Sequence, residues 1–86
     1  MKQAWAEAAG TYAAPEELGD VDLRTTGAHP VMEVRGSDPR ILPMVPVSKT
    51  TAIVLYSEGG GTMLHRKGTD LTWTNASGRK FLLTRR

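Results

Sequence analysis

The groups available for chemistry are two histidines, nine carboxylates, eleven Lys/Arg side chains and a generous supply of hydroxyls; there is no cysteine. Thiolate zinc sites, disulfides and thiol catalysis are therefore excluded. His29 precedes Pro30 in a turn, and His65 stands in a strand beside Arg66 and Lys67, whose charge discourages a cation. Two imidazoles with no positionally linked carboxylate fall short of the three or more convergent ligands a metal requires. No metal and no cofactor is expected. A Ser or Thr nucleophile needs a base and an orienting group, and no G-x-S-x-G signature supplies one. Glu16-Glu17 and Asp20-Asp22 sit in a polar loop and read as solubility or capping residues rather than an acid/base pair. Gly59-Gly60-Gly61 lacks the following Lys-Ser/Thr and helix of a phosphate loop and reads as a hairpin tip. Asn75-Ala76-Ser77 matches the N-glycosylation tripeptide, a pattern too short to carry weight. These readings predict a binding protein, not an enzyme.

Charge is unevenly placed. Residues 1–30 hold two cations against five acids, and residues 31–86 hold nine against four, within a net charge of +2. The basic half suits an anionic partner. Arg66, Lys67, Arg79, Lys80, Arg85 and Arg86 could track a phosphate backbone, with Trp73 or Phe81 as a stacking surface. Trp73 and Phe81 are needed in a core, however. Basic residues on the solvent side of a sheet explain the charge more simply, which leaves a nucleic-acid-binding small barrel as the third choice.

What must position any such groups is one domain, because 86 residues bury a single thin core. With 40% hydrophobic and 23% charged residues the composition is globular. No run approaches the roughly 18 apolar residues of a membrane span. Glu7 interrupts the place of a signal peptide's apolar stretch, so no signal segment is expected. Without a disulfide or metal staple, a domain this small must rely on a closed sheet, a larger parent, or a partner, which includes a second copy of itself.

Residues 2–9 favour helix through alanine, but eight residues cannot stand alone. The expectation is a short N-terminal helical turn, with Trp5 packing on the sheet as a plug, and a loop to residue 20. From residue 21 to 86 the pattern is β. Runs rich in Val, Ile, Thr and Leu at 21–25, 31–35, 40–47, 51–57, 62–67, 70–74 and 79–84 are separated by Gly, Pro, Asp and Asn clusters. Alternation places Val21 with Leu23, Met32 with Val34, Ile53 with Leu55, Leu71 with Trp73 and Phe81 with Leu83 on inward faces. Pro43 and Pro46 make the third run an edge, a bulge or a crossing. With a strand around Tyr12, about eight strands fit an all-β, antiparallel up-and-down barrel or closed meander.

Residues 42–84 contain Leu-Pro-Met-Val-Pro-Val-Ser-Lys-Thr-Thr-Ala-Ile-Val, a Gly-rich turn, Met-Leu-His-Arg-Lys-Gly-Thr-Asp-Leu-Thr-Trp and Ser-Gly-Arg-Lys-Phe. This half of the chain resembles the C-type lysozyme inhibitors of bacterial envelopes. In that family a Leu-Pro approach leads to a Ser-x-Ser-Gly-Ala loop ending in Tyr, and a hairpin carries Phe-Trp-x-Lys-Gly with an apolar residue three positions later. Ser48 matches the first loop serine, Thr50 the second, Thr51 the glycine, Ala52 the alanine and Val54 the tyrosine. Leu64 and His65 stand for the aromatic pair, Lys67 and Gly68 match outright, and Leu71 takes the apolar position. The family's glycine, tyrosine and common cysteine pair are absent here.

The resemblance implies an eight-stranded antiparallel barrel, a periplasmic or envelope location and a protein partner such as a C-type lysozyme. Lysozyme works with two carboxyl groups astride the scissile bond. A hydroxyl from Thr50 and an ammonium from Lys67 would hydrogen-bond those groups and plug the cleft, with Ser48 and Thr51 completing the partner-binding set. Ala9-Gly10-Thr11-Tyr12 and Leu42-Pro43-Met44-Val45-Pro46-Val47-Ser48 also look like the lipocalin-like modules of β-lactamase-type serine hydrolases. That alternative implies an accessory barrel binding a small apolar ligand or a protein partner, with no inhibitory activity.

Overall fold

Period-two alternation, interrupted by short turn clusters, gives strands that pair with their sequence neighbours until the last meets the first. The computed structural model describes residues 5–15, 18–25, 30–36, 39–56 and 60–86. Among the described residues there are eight strands: β1 (Gly10–Ala13), β2 (Val21–Arg24), β3 (Val31–Val34), β4 (Arg40–Pro46), β5 (Thr51–Tyr56), β6 (Gly60–Lys67), β7 (Asp70–Thr74) and β8 (Lys80–Arg85). They form one closed antiparallel barrel in chain order. Closure comes from β1 against β8, with Tyr12 opposite Arg85 and Ala13 opposite Thr84. A closed sheet leaves no row of unpaired backbone groups along an edge.

The barrel is the architecture the alternation implies, and the strand ranges agree to within a residue or two. Residues 1–4, 16–17, 26–29, 37–38 and 57–59 lie outside the described residues, and with them His29, Glu16, Glu17 and Gly59 of the sequence reading.

Among the described residues the expected N-terminal helical turn makes no helical element. Residues 5–9 instead make two successive i→i+3 bonds, Ala8 N–H to Trp5 O at 2.9 Å and Ala9 N–H to Ala6 O at 3.3 Å, before the chain extends into β1. Tertiary contact holds the segment in place: Trp5 is fully buried and Ala8 nearly so.

Pro43 and Pro46 mark a crossing. The first part of β4 pairs with β3, Leu42 opposite Met32 and Pro43 opposite Val31. The second part pairs with β5, Met44 opposite Val54 and Pro46 opposite Ala52. The strand thus passes from one half of the barrel to the other at the residue that lacks an N–H.

Inward positions are Tyr12, Val21, Leu23, Met32, Val34, Leu42, Met44, Ala52, Val54, Thr62, Leu64, Leu71, Trp73, Phe81 and Leu83, all buried. Full burial of a Val- or Leu-sized side chain contributes roughly 1.5–3 kcal/mol. On β5 the expected face is reversed: Ala52 and Val54 point inward, while Ile53 is half-buried and Leu55 exposed. The run Thr51–Tyr56 is apolar on both faces, so its own alternation does not choose; register with β6, Ala52 opposite Leu64 and Val54 opposite Thr62, decides. The polar atoms in the core are paired. Trp73 Nε1–H donates to Thr62 Oγ1 at 2.8 Å, and Thr62 Oγ1–H donates to the Val54 carbonyl at 3.2 Å. Trp73 and Phe81 stack at a tilt, their ring centroids 5.7 Å apart.

Candidate functional site

An up-and-down barrel sends alternate connections to alternate ends. The β4–β5 loop (47–50), the β6–β7 turn (68–69), the entry into β1 and the exit from β8 therefore share one end. Ser48, Thr50, Thr51 and Lys67 all fall there. The loop and the turn are joined directly, because Arg66 N–H donates to the Thr50 carbonyl at 2.7 Å and Arg66 Nη1 donates to the Lys49 carbonyl at 3.2 Å.

The loop is held from inside. Ser48 Oγ accepts from the backbone N–H groups of Thr50 at 3.2 Å and Thr51 at 3.0 Å, a serine turn that folds the chain back into β5. Trp5 Nε1–H donates to the Ser48 carbonyl at 2.8 Å, and Thr25 Oγ1–H donates to the Trp5 carbonyl at 2.8 Å. The Thr51 hydroxyl lies 3.3 Å from His65 Nδ1, its cross-strand neighbour. The sequence set therefore separates by role. Ser48 shapes the loop, Thr51 is engaged with His65, and Thr50 and Lys67 stand exposed at adjoining turns. Gly68, at φ 63°, allows the two-residue link that ends β6 with Lys67 opposite Asp70.

One residue that sequence reasoning assigned to a solvated basic face lies elsewhere. Arg66 continues the inward series Thr62, Leu64, and its side chain is only 17% exposed. Its guanidinium sits 5.4 Å from the Trp5 ring centroid, and Nη2 is 3.6 Å from Glu7 Oε2. Arg85 has the strand parity of Phe81 and Leu83 but lies exposed at the end of β8. Its Nη1 donates to the Glu7 carbonyl at 2.7 Å and its Nη2 to the Ala9 carbonyl at 2.8 Å, with Cζ 5.8 Å from the Tyr12 ring centroid. Tyr12 OH donates to the Ala8 carbonyl at 2.7 Å. Burial pushes the Tyr12 hydroxyl above its ordinary pKa despite the lowering influence of Arg85 and Arg66, so it stays protonated. Extending the inward parity of 62–64 by two residues is the sequence signal that would have found Arg66.

The Asn75 of the glycosylation tripeptide serves its own turn. Its Oδ1 accepts from Ser77 N–H, Ser77 Oγ–H and Arg79 N–H at 3.1, 2.8 and 3.0 Å. Among the described residues no three His, Asp or Glu side chains group as a metal site, and no helix is long and apolar enough to cross a membrane. The fold and this end of it define a small closed antiparallel barrel with a pinned loop-and-turn surface. Comparison with known protein families, curated proteins and solved structures finds no match to the chain.

Proposed function

We propose that this chain is a non-catalytic binding protein that inhibits an enzyme whose cleft is lined by carboxyl groups, in the manner of the C-type lysozyme inhibitors it resembles. The Thr50 hydroxyl and the Lys67 ammonium enter the cleft and hydrogen-bond the two carboxyl groups. The observation that supports this reading most is the 2.7 Å bond from Arg66 N–H to Thr50 O, which sets the two exposed groups on adjoining turns at one end of the barrel. An inhibitor gains affinity from groups that are already in place before contact. Here Trp5, Ser48 and Arg66 fix the loop from within.

The test is clearing of bacterial walls by several C-type lysozymes with the purified chain at micromolar concentration. The proposal expects dose-dependent protection of the walls; unchanged clearing by every lysozyme rejects it.

A further inference from the structure

We infer that this chain self-associates as a weak, two-fold symmetric dimer, in which the outer face of β4 and β5 packs against the same face of a second copy. Outward positions of an antiparallel sheet ordinarily carry polar side chains. The strands β2 and β7 follow that rule with Asp22, Arg24, Thr72 and Thr74. The strand β4 breaks it. Its outward residues are Ile41, Pro43, Val45 and, just beyond the strand, Val47, and all four are exposed. Ile53 and Leu55 of β5 and Met63 of β6 extend the apolar surface sideways. Register makes it continuous: Val45 lies opposite Ile53, and Ile53 opposite Met63. Among the described residues, four of the five large apolar side chains that stand exposed belong to this face, Ile41 being 60% and Val45 46% exposed; the fifth is Leu82 on β8.

Charge and area select the occupant. None of the outward residues of 41–47 and 51–55 is charged. The charged neighbour on β3, Glu33 opposite Ile41, is already paired with Arg24 and Arg35. A partner recognised by its charge gains nothing on such a face, whereas an identical face meets it without setting like charges against each other. Interfaces between identical subunits are also more apolar than those between separately soluble partners. Seven residues of β4 at about 3.3 Å each, across three strands about 4.8 Å apart, give a flat footprint of roughly 330 Å². That is the size of the largest apolar patches on monomers, about 300–600 Å². It falls short of the about 800 Å² per partner of a standard complex, so the dimer is weak. It closes at two copies, because each molecule uses its one such face. The barrel is closed, so the copies meet through side chains, sheet on sheet, rather than by adding a strand at an edge. The inference is independent of the inhibitor reading, since it uses neither the Thr50 nor the Lys67 side chain.

The test is sedimentation equilibrium of the purified full chain from about 10 μM to about 1 mM, at low and at high sodium chloride. The expected result is a reversible monomer–dimer equilibrium with Kd on the order of 100 μM, not weakened by salt. Val45→Lys, at an exposed position, should weaken dimerisation at least about tenfold. Ile41→Lys, at the most exposed position of the face, takes its place if that variant does not fold. Leu82→Lys, four strands away around the barrel from β4, should leave the equilibrium unchanged. A chain that stays monomeric at every concentration overturns the inference and leaves the face to another occupant. Growth past the dimer, weakening by salt, or an equal loss in Leu82→Lys overturns it as well.

Discussion

The indole N–H of Trp5 donates to the carbonyl oxygen of Ser48 at 2.8 Å, joining the first described residue to a loop 43 positions later. This bond makes the N-terminal turn part of the β4–β5 loop. It also shows what holds residues 5–9 in place: the tryptophan is fully buried, and both its indole N–H and its carbonyl have partners.

Trp5→Ala should destabilise the protein by about 3–5 kcal/mol, the range for truncating a buried large aromatic. Trp5→Phe keeps most of the packing and leaves the Ser48 carbonyl without its donor, for a smaller loss of about 1–3 kcal/mol. Urea denaturation orders the three proteins, and hydrogen exchange at Thr50 and Thr51 should accelerate in both variants.

Ser48 and Thr50 should behave oppositely although both were candidates for the same surface. Ser48→Ala removes the acceptor of two backbone N–H groups and should cost about 1 kcal/mol. Thr50→Ala, at an exposed loop position, should change stability by no more than about 0.5 kcal/mol. Denaturation midpoints of the two variants distinguish a loop-shaping residue from a presented one.

At the other end of the barrel two loops touch through glycine. A Cβ on Gly36 would lie 2.5 Å from the Leu18 carbonyl oxygen, and one on Gly19, already at φ +67°, would lie 2.6 Å from Gly36 Cα. Because the obstacle is backbone, it cannot swing aside as a side chain would. Gly36→Ala should therefore cost about 1–3 kcal/mol by overpacking, read by thermal or urea unfolding.

Tyr12 gives a pH dependence of definite sign. Its folded-state pKa is raised by burial above the ordinary 10.0, so above that pH the unfolded chain releases the proton while the folded one keeps it. The contribution is complete below pH 10.0 and is lost as pH climbs towards the folded value. Tyr12→Phe should cost about 1 kcal/mol at neutral pH through loss of the bond to the Ala8 carbonyl. That deficit should shrink in denaturation measured above pH 10.

Much of the barrel was legible because its strands alternate cleanly: Val21/Leu23, Met32/Val34, Leu71/Trp73 and Phe81/Leu83 each declare one face. Where alternation fails, so does the reading. Residues 51–56 are apolar on both faces, and only pairing with β6 sends Ala52 and Val54 inward. Of the site, the resemblance to the lysozyme inhibitors singled out Ser48, Thr50, Thr51 and Lys67 but did not say which hydroxyl the loop itself would use. Arg66 escaped because a cation at a strand terminus is ordinarily solvated. Its inward position follows the parity of Thr62 and Leu64, with Trp5 beside its guanidinium.

The central claim is tested most directly by measuring inhibition of a C-type lysozyme with the native chain, Lys67→Ala, Thr50→Ala and Lys80→Ala, the last altering an exposed lysine on the far end of β8. The expected result is inhibition by the native chain, undiminished in Lys80→Ala and weakened at least about tenfold in Lys67→Ala, with a smaller loss in Thr50→Ala. Absence of inhibition by the native chain, or equal potency of Lys67→Ala and the native chain, would contradict it.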